Sequence, residues 1–204
     1  PYFLYVGAYR PHKNVDELLQ AYQMMDHDAP NLVMVGLNSK ESRRLKQQFT
    51  GTPWADKIII PENLPDPDPR LDSPSVDGQD DLPGLKNRLD AVRLNDYYRG
   101  CLAVIIPSLS EGFGFPAVEA ARCGAKLICA DRPIFHETVG DYAEYYPPGK
   151  PGRLAELMIR IIKHGNFGRS FISAGGGKLP RDYSWDECAA QTLDLYRSLV
   201  NSHP

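Results

Sequence analysis

Two periodicities alternate along the chain. Tyr2 to Val6 is a short apolar run closed by Gly7, the pattern of a buried strand. From Asn14 onward, Leu18, Leu19, Tyr22 and Met25 recur at the spacing of one helix face. Asn14 and Glu17 stand in capping-box position, so the spacing predicts a helix that Asn14 caps. Leu32 to Val35 repeats the strand pattern up to Gly36, Ser39 to Phe49 reads as a polar helix, and Lys57 to Ile60 as a third strand.

The alternation breaks over about residues 61–90. Pro61, Pro65, Pro67, Pro69, Pro74 and Pro83 exclude helix interiors and central strands. Asp66, Asp68, Asp72, Asp77, Asp80 and Asp81 repel one another and offer little to bury, so this stretch reads as a long inserted loop. Order resumes with a helix over Ala91–Arg99, stopped by Gly100, and with Leu102 to Ile106, the best central strand of the chain. A helix follows over Pro116–Cys123, with proline first and Gly124 just past its end. Strand Lys126–Cys129, helix Ile134–Val139 and strand Ala143–Tyr146 come next. Leu154, Leu157, Met158, Ile161 and Ile162 form another amphipathic stripe. Ser184 and Glu187 form a second capping box opening a last helix to about Val200, with Trp185 as its expected core anchor. Strands alternating with helices imply an α/β fold, a Rossmann-like parallel sheet with helices on both faces. There is no internal repeat.

Composition narrows the function. The chain has 204 residues, with 42% hydrophobic and 24% charged, ordinary for one soluble domain. A formal charge of −3 argues against a nucleic-acid surface, which needs a basic field. Cys101, Cys123, Cys129 and Cys188 have neither zinc-site nor disulfide-framework spacing, so a reducing compartment fits and no metal site is expected. No apolar run reaches the roughly 18–20 residues of a membrane span, and no signal peptide opens the chain. Because the first residues already read as a core strand, a preceding domain is expected, and any membrane association would come from parts outside this chain.

In a doubly wound sheet, ligands bind beyond the carboxyl ends of the strands. The segment after Leu102–Ile106 is Pro107-Ser-Leu-Ser-Glu111-Gly-Phe-Gly-Phe-Pro116-Ala-Val-Glu119. Gly112 and Gly114 let the backbone approach a ligand, and the helix that follows aims free amides and a positive dipole end at the same place. Two carboxylates there are awkward beside phosphate unless they meet uncharged groups such as sugar hydroxyls. Taken alone, Glu111 and Glu119 would read as solvated acids near a helix start, where acids are favoured anyway.

The wider context favours function. Glu111 and Glu119 with seven residues between them, around Glu-Gly-Phe-Gly-Phe-Pro and before Glu-Ala-Ala-Arg-Cys-Gly124, resemble the EX7E signature of family 4 retaining glycosyltransferases. Tyr5-Val-Gly7 with His12-Lys13-Asn14 resembles that family's first strand and basic loop. Tyr98 to Ser108, His136 to Asp141 and Tyr183-Ser-Trp185 resemble further stretches of it. The resemblance implies half of a GT-B fold, with residues 1–204 as the nucleotide-sugar-binding C-terminal domain and the acceptor-binding N-terminal domain absent.

By the same resemblance, Glu119 would hold the ribose hydroxyls and Glu111 would contact the transferred sugar. The amides of Gly112, Phe113, Gly114 and Phe115 would contact sugar and diphosphate. Lys13 would place a cation on the diphosphate, stabilising the leaving group, with Gly7 close by. The family often carries arginine directly after that glycine; here the position is Ala8, and Arg10 is the candidate substitute. The implied donor is a GDP- or UDP-sugar, with no separate cofactor, and the His-Lys-Asn form of the loop favours GDP-mannose. The implied partner is the N-terminal domain of the same enzyme or a separate chain.

Two other functions fit parts of the chain. Gly112-Phe-Gly114-Phe-Pro-Ala117 satisfies a dinucleotide fingerprint, with Asp131 about 20 residues on, as an NAD-dependent oxidoreductase would require. Against it, several strand–helix units precede the motif, which normally opens the fold. A non-catalytic sugar-nucleotide-binding module is the other. Gly175-Gly-Gly-Lys178 lacks the strand and spacing of a P-loop and is set aside, and His12 and His136 are assigned no catalytic part.

Overall fold

A computed structural model describes residues 1–61, 94–163, 179–181 and 183–201. The expected insertion from residue 62 on and the glycine run at 175–178 lie outside the described residues.

The short apolar runs are strands: β1 (Tyr2–Val6), β2 (Asn31–Val35), β3 (Ile58–Ile59), β4 (Ala103–Ile106), β5 (Leu127–Ala130) and β6 (Ala143–Tyr146). The helices are α1 (Val15–Gln23), α2 (Ser39–Phe49), α3 (residues 94–100), α4 (Phe115–Arg122), α5 (Pro133–Thr138), α6 (Pro151–Lys163) and α7 (Trp185–Asn201). All pairings are parallel, and the six strands lie in the order β3-β2-β1-β4-β5-β6.

Because successive strand residues face opposite sides, the core divides in two. Phe3, Tyr5, Leu32, Met34 and Ile105 pack with the apolar faces of α1, α2 and α6. Leu4, Val33, Val104, Ile106 and Cys129 pack with Tyr98 of α3 and with α4 and α5. Both faces are covered, which explains why these strands, Asn31 and Glu144 aside, are apolar at successive positions rather than at alternate ones.

Four expectations are corrected. Gly100 does not stop α3 but remains helical. Asn14 does not cap α1: it sits in the left-handed region at φ 52° and no backbone amide donates to its side chain. Its amide donates instead to Glu17, whose carboxylate is buried and accepts from the Lys150 N–H at 2.8 Å. Glu17 therefore ties α1 to the start of α6, a long-range bond that local spacing cannot reveal. Trp185 is no core anchor: it is 76% exposed, because α7 presents its side chains to solvent along its length. Only half of the second capping box forms, the Glu187 N–H donating to Ser184 Oγ at 3.1 Å while the Glu187 carboxylate accepts from Gln191. The box that does close is at α2, where Asn38 and Glu41 exchange bonds with each other's amides.

Replacing Glu17 by Ala removes the charged acceptor of the Lys150 N–H and should lower the unfolding free energy by about 1–2 kcal/mol. The exposed Gln20→Ala should change it by less than about 0.5 kcal/mol. Urea melts compare the two, and equal losses would show that the buried carboxylate does not hold the α1–α6 junction.

Candidate functional site

The strand order reverses between β1 and β4, so the loops leaving their carboxyl ends diverge and open a crevice. The loop after β1 runs through Gly7 and a turn of 3-10 helix at Pro11–Lys13; the loop after β4 runs from Pro107 to Gly114. A backbone bond from the Leu109 N–H to the His12 carbonyl, 2.7 Å, fastens one to the other. Across this junction Lys13 Nζ donates to Glu111 Oε1 at 2.6 Å, with side chains only 18% and 12% exposed. An ammonium and a carboxylate so far removed from water interact more strongly than a surface pair. Close by, the buried Tyr5 hydroxyl donates to the Ala8 carbonyl at 2.9 Å. Burial, aided by the Glu111 charge, holds the Tyr5 phenol well above its usual range, so it stays a donor.

The wall of the crevice is the Gly112–Glu119 segment. Gly114 has φ 84°, and a Cβ there would lie 3.0 Å from the Phe135 ring. Only glycine adopts that conformation cheaply and lets the turn close on α5. Phe115 then begins α4, with proline second rather than first as expected. In its first turn Pro116 has no N–H and the Ala117 N–H donates to the Gly114 carbonyl at 2.9 Å, which leaves the Phe115 N–H at the helix start. Glu119 is exposed on α4, and the Tyr98 hydroxyl donates to its Oε2 at 2.9 Å.

Glu119 also lines a cleft of about 740 Å³ with Phe113, Phe115, Val118, Arg122, Tyr183, Ser184, Trp185 and Cys188. The Phe113 ring meets Phe115 and Tyr183 with centroids 4.9 Å away in each case, and Trp185 stacks on Phe115 at 6.3 Å. Arg122 donates to the Tyr183 carbonyl at 3.0 Å, and the Tyr183 hydroxyl donates to the Glu137 carbonyl at 3.1 Å, which seats residue 183 against α4 and α5.

Of the residues singled out in the sequence, Lys13 and Glu111 meet directly. Gly7 sits at the crevice floor, its N–H donating to the Val35 carbonyl at 2.8 Å. Gly112 through Phe115 form the turn. Glu119 is bonded to Tyr98 rather than to either member of the ion pair. Arg10 is exposed and, among the described residues, makes no ion pair. Sequence reasoning gave Tyr98, Arg122 and Tyr183 no role in this region: Tyr98 read as part of a helix and of a resemblance, and Arg122 and Tyr183 only as parts of the resemblance. Among the described residues no group of three His, Cys, Asp or Glu side chains could hold a metal ion.

A parallel α/β sheet with its crevice at the strand-order reversal belongs to the Rossmann-like class of nucleotide-binding architectures. Within that class, the chain is a member of the family described as glycosyl transferases group 1, which it matches over residues 1–71 and 85–176. It is similar to O-antigen chain mannosyltransferase B of Escherichia coli, 26% identical over 204 residues, covering 97% of this chain and 46% of the relative. It is also similar to a D-inositol 3-phosphate glycosyltransferase of a Nocardioides species, 27% identical, covering 95% and 41%. Among solved structures, a glycosyltransferase from Rickettsia africae superposes with a TM-score of 0.70 at 17% identity, over 99% of this chain and 48% of that one. Sucrose-phosphate synthase from Thermosynechococcus elongatus gives 0.63 at 23% identity, over 99% and 46%. The fold is thus that of one half of a GT-B glycosyltransferase, and the chain spans about half the length of the relatives it matches. The dinucleotide alternative loses its footing here: its glycines follow β4, whereas β1 leads into Gly7-Ala-Tyr-Arg10. Asp131, its ribose candidate, lies 2.8 Å from His136 Nε2.

Gly114→Ala should destabilise the protein by about 1–3 kcal/mol, since it combines a left-handed backbone with a ring clash. Gly112→Ala, whose Cβ would meet nothing within 4 Å, should lower the thermal midpoint far less. Equal shifts would show that the turn is not closed against Phe135.

Proposed function

We propose that this chain is the nucleotide-sugar-binding half of a retaining hexosyltransferase, acting with an N-terminal half that carries the acceptor. The observation that carries the reading is the Lys13–Glu111 pair at the switch-point crevice, beside the start of α4. Lys13 exchanges the Glu111 carboxylate for the donor's diphosphate and stabilises the negative charge that develops as the glycosidic bond breaks. The positive end of α4 and the backbone N–H groups from Gly112 to Phe115 meet the same anion. Glu111, relieved of its lysine, accepts from hydroxyls of the transferred sugar, and Glu119 accepts from the ribose. With Ala8 in place of arginine, Arg10 is the remaining cation of the loop, and its exposure leaves it free to reach a phosphate.

The donor is a nucleoside-diphosphate hexose, with GDP-mannose favoured by the His12-Lys13-Asn14 loop and by relatives named as mannosyltransferases. The relatives' greater length supports a second half. So does α7, whose Trp185, Leu195, Tyr196 and Val200 are 57–76% exposed and offer an apolar face for it to cover. Free cysteines at 101, 123, 129 and 188 support a reducing, cytoplasmic setting. Among the described residues, no helix is long and apolar enough to cross a membrane.

Calorimetric titration with GDP-mannose, UDP-glucose, GDP, UDP and NAD tests the reading. One sugar nucleotide should bind saturably, and Glu119→Ala should weaken it by roughly tenfold or more. Lys13→Ala should weaken the diphosphate sugar more than the free nucleoside. Binding of NAD alone would overturn the assignment, and an equal Lys13→Ala loss for both ligands would remove the phosphate contact.

A further inference from the structure

Tyr98 is 2% exposed, its ring packed in the core among the residues of α4 and the sheet. A ring so enclosed cannot swing, so the position of its hydroxyl is set by the fold. That hydroxyl donates to Glu119 Oε2 at 2.9 Å, although Glu119 itself is exposed. Burial, reinforced by the Glu119 charge, drives the Tyr98 phenol far above its ordinary value, so it remains a proton donor throughout the working pH range. A carboxylate has two accepting oxygens. With Oε2 held by the phenol, Oε1 is left to accept from a ligand.

We propose that Tyr98 is a positioning residue that fixes the Glu119 carboxylate for the ribose of the bound nucleotide. The proposal rests on the reading of Glu119 given above. An exposed glutamate loses rotamer freedom when it grips a ligand; the phenol removes that freedom before the ligand arrives. A buried phenol that merely satisfied its own donor would leave binding unchanged.

The test is a double-mutant cycle on GDP-mannose affinity, read by calorimetry in the unsubstituted chain, Tyr98→Phe, Glu119→Ala and the double variant. Tyr98→Phe should weaken binding about 5- to 10-fold and reduce the preference for GDP over 2′-deoxy-GDP. In the Glu119→Ala background the same change should alter affinity by less than about twofold. Glu119→Gln, which keeps the site's shape but has one accepting oxygen for two donors, should weaken binding comparably even if Tyr98→Phe fails to fold. Unchanged affinity in Tyr98→Phe, equal losses in both backgrounds, or full affinity in Glu119→Gln would overturn the positioning role while leaving the donor site standing. If Glu119→Ala binds as the unsubstituted chain does, or neither binds a sugar nucleotide, the ribose reading itself fails and the positioning role falls with it.

Discussion

The parallel pairing of β1 with β4 is the constraint on which the rest depends. It aligns Phe3 with Ala103 and Leu4 with Val104, so two segments a hundred residues apart leave the sheet from adjacent strands. Strand order runs one way from β1 and the other way from β4, and the space between the departing loops is left unfilled by either. The Leu109–His12 bond then brings the basic and acidic loops into contact without any side chain being needed. Lys13 and Glu111 need only reach across a junction the backbone has already made.

The charges at that junction are balanced as found. A lysine at 18% exposure with a carboxylate 2.6 Å away is already neutralised, so an arriving anion competes with Glu111 rather than filling an empty place. On the proposed donor reading, phosphate recognition is an exchange of partners, and its strength depends on what else in the loops contributes positive potential. The start of α4 and Arg10 are the available sources, which makes the alanine at position 8 a meaningful difference rather than a neutral one.

Most of the fold was legible because both faces of the sheet are covered, which makes strands short and largely apolar while helices keep their 3.6-residue rhythm; glycine closes β1 and β2. Boundaries moved by a residue or so, as at β3 and α4. The misreadings share a cause. Asn14–Glu17 has the spacing of a cap, yet Glu17 found its partner at Lys150, and no local rule anticipates a bond spanning 133 positions. Trp185 was assigned to the core because tryptophan is usually buried, whereas α7 places it on the open side of the Phe113–Phe115 cluster. The glycine turn and the two glutamates could be found from their spacing and resemblance. Tyr98 could not, because nothing in a helical tyrosine's sequence context tells that its hydroxyl reaches across to another helix.

The outward face of α7 has a consequence for handling the molecule. Trp185, Leu193, Leu195, Tyr196 and Val200 put a strip of apolar side chains into water along a single helix of 17 residues. Water is poorly disposed to such a strip, and with a net charge of only −3 there is little electrostatic repulsion to keep two copies apart. An uncovered strip of this kind favours association between copies through α7. Its colloidal behaviour is therefore governed less by the sheet, which is well covered, than by one helix at its end.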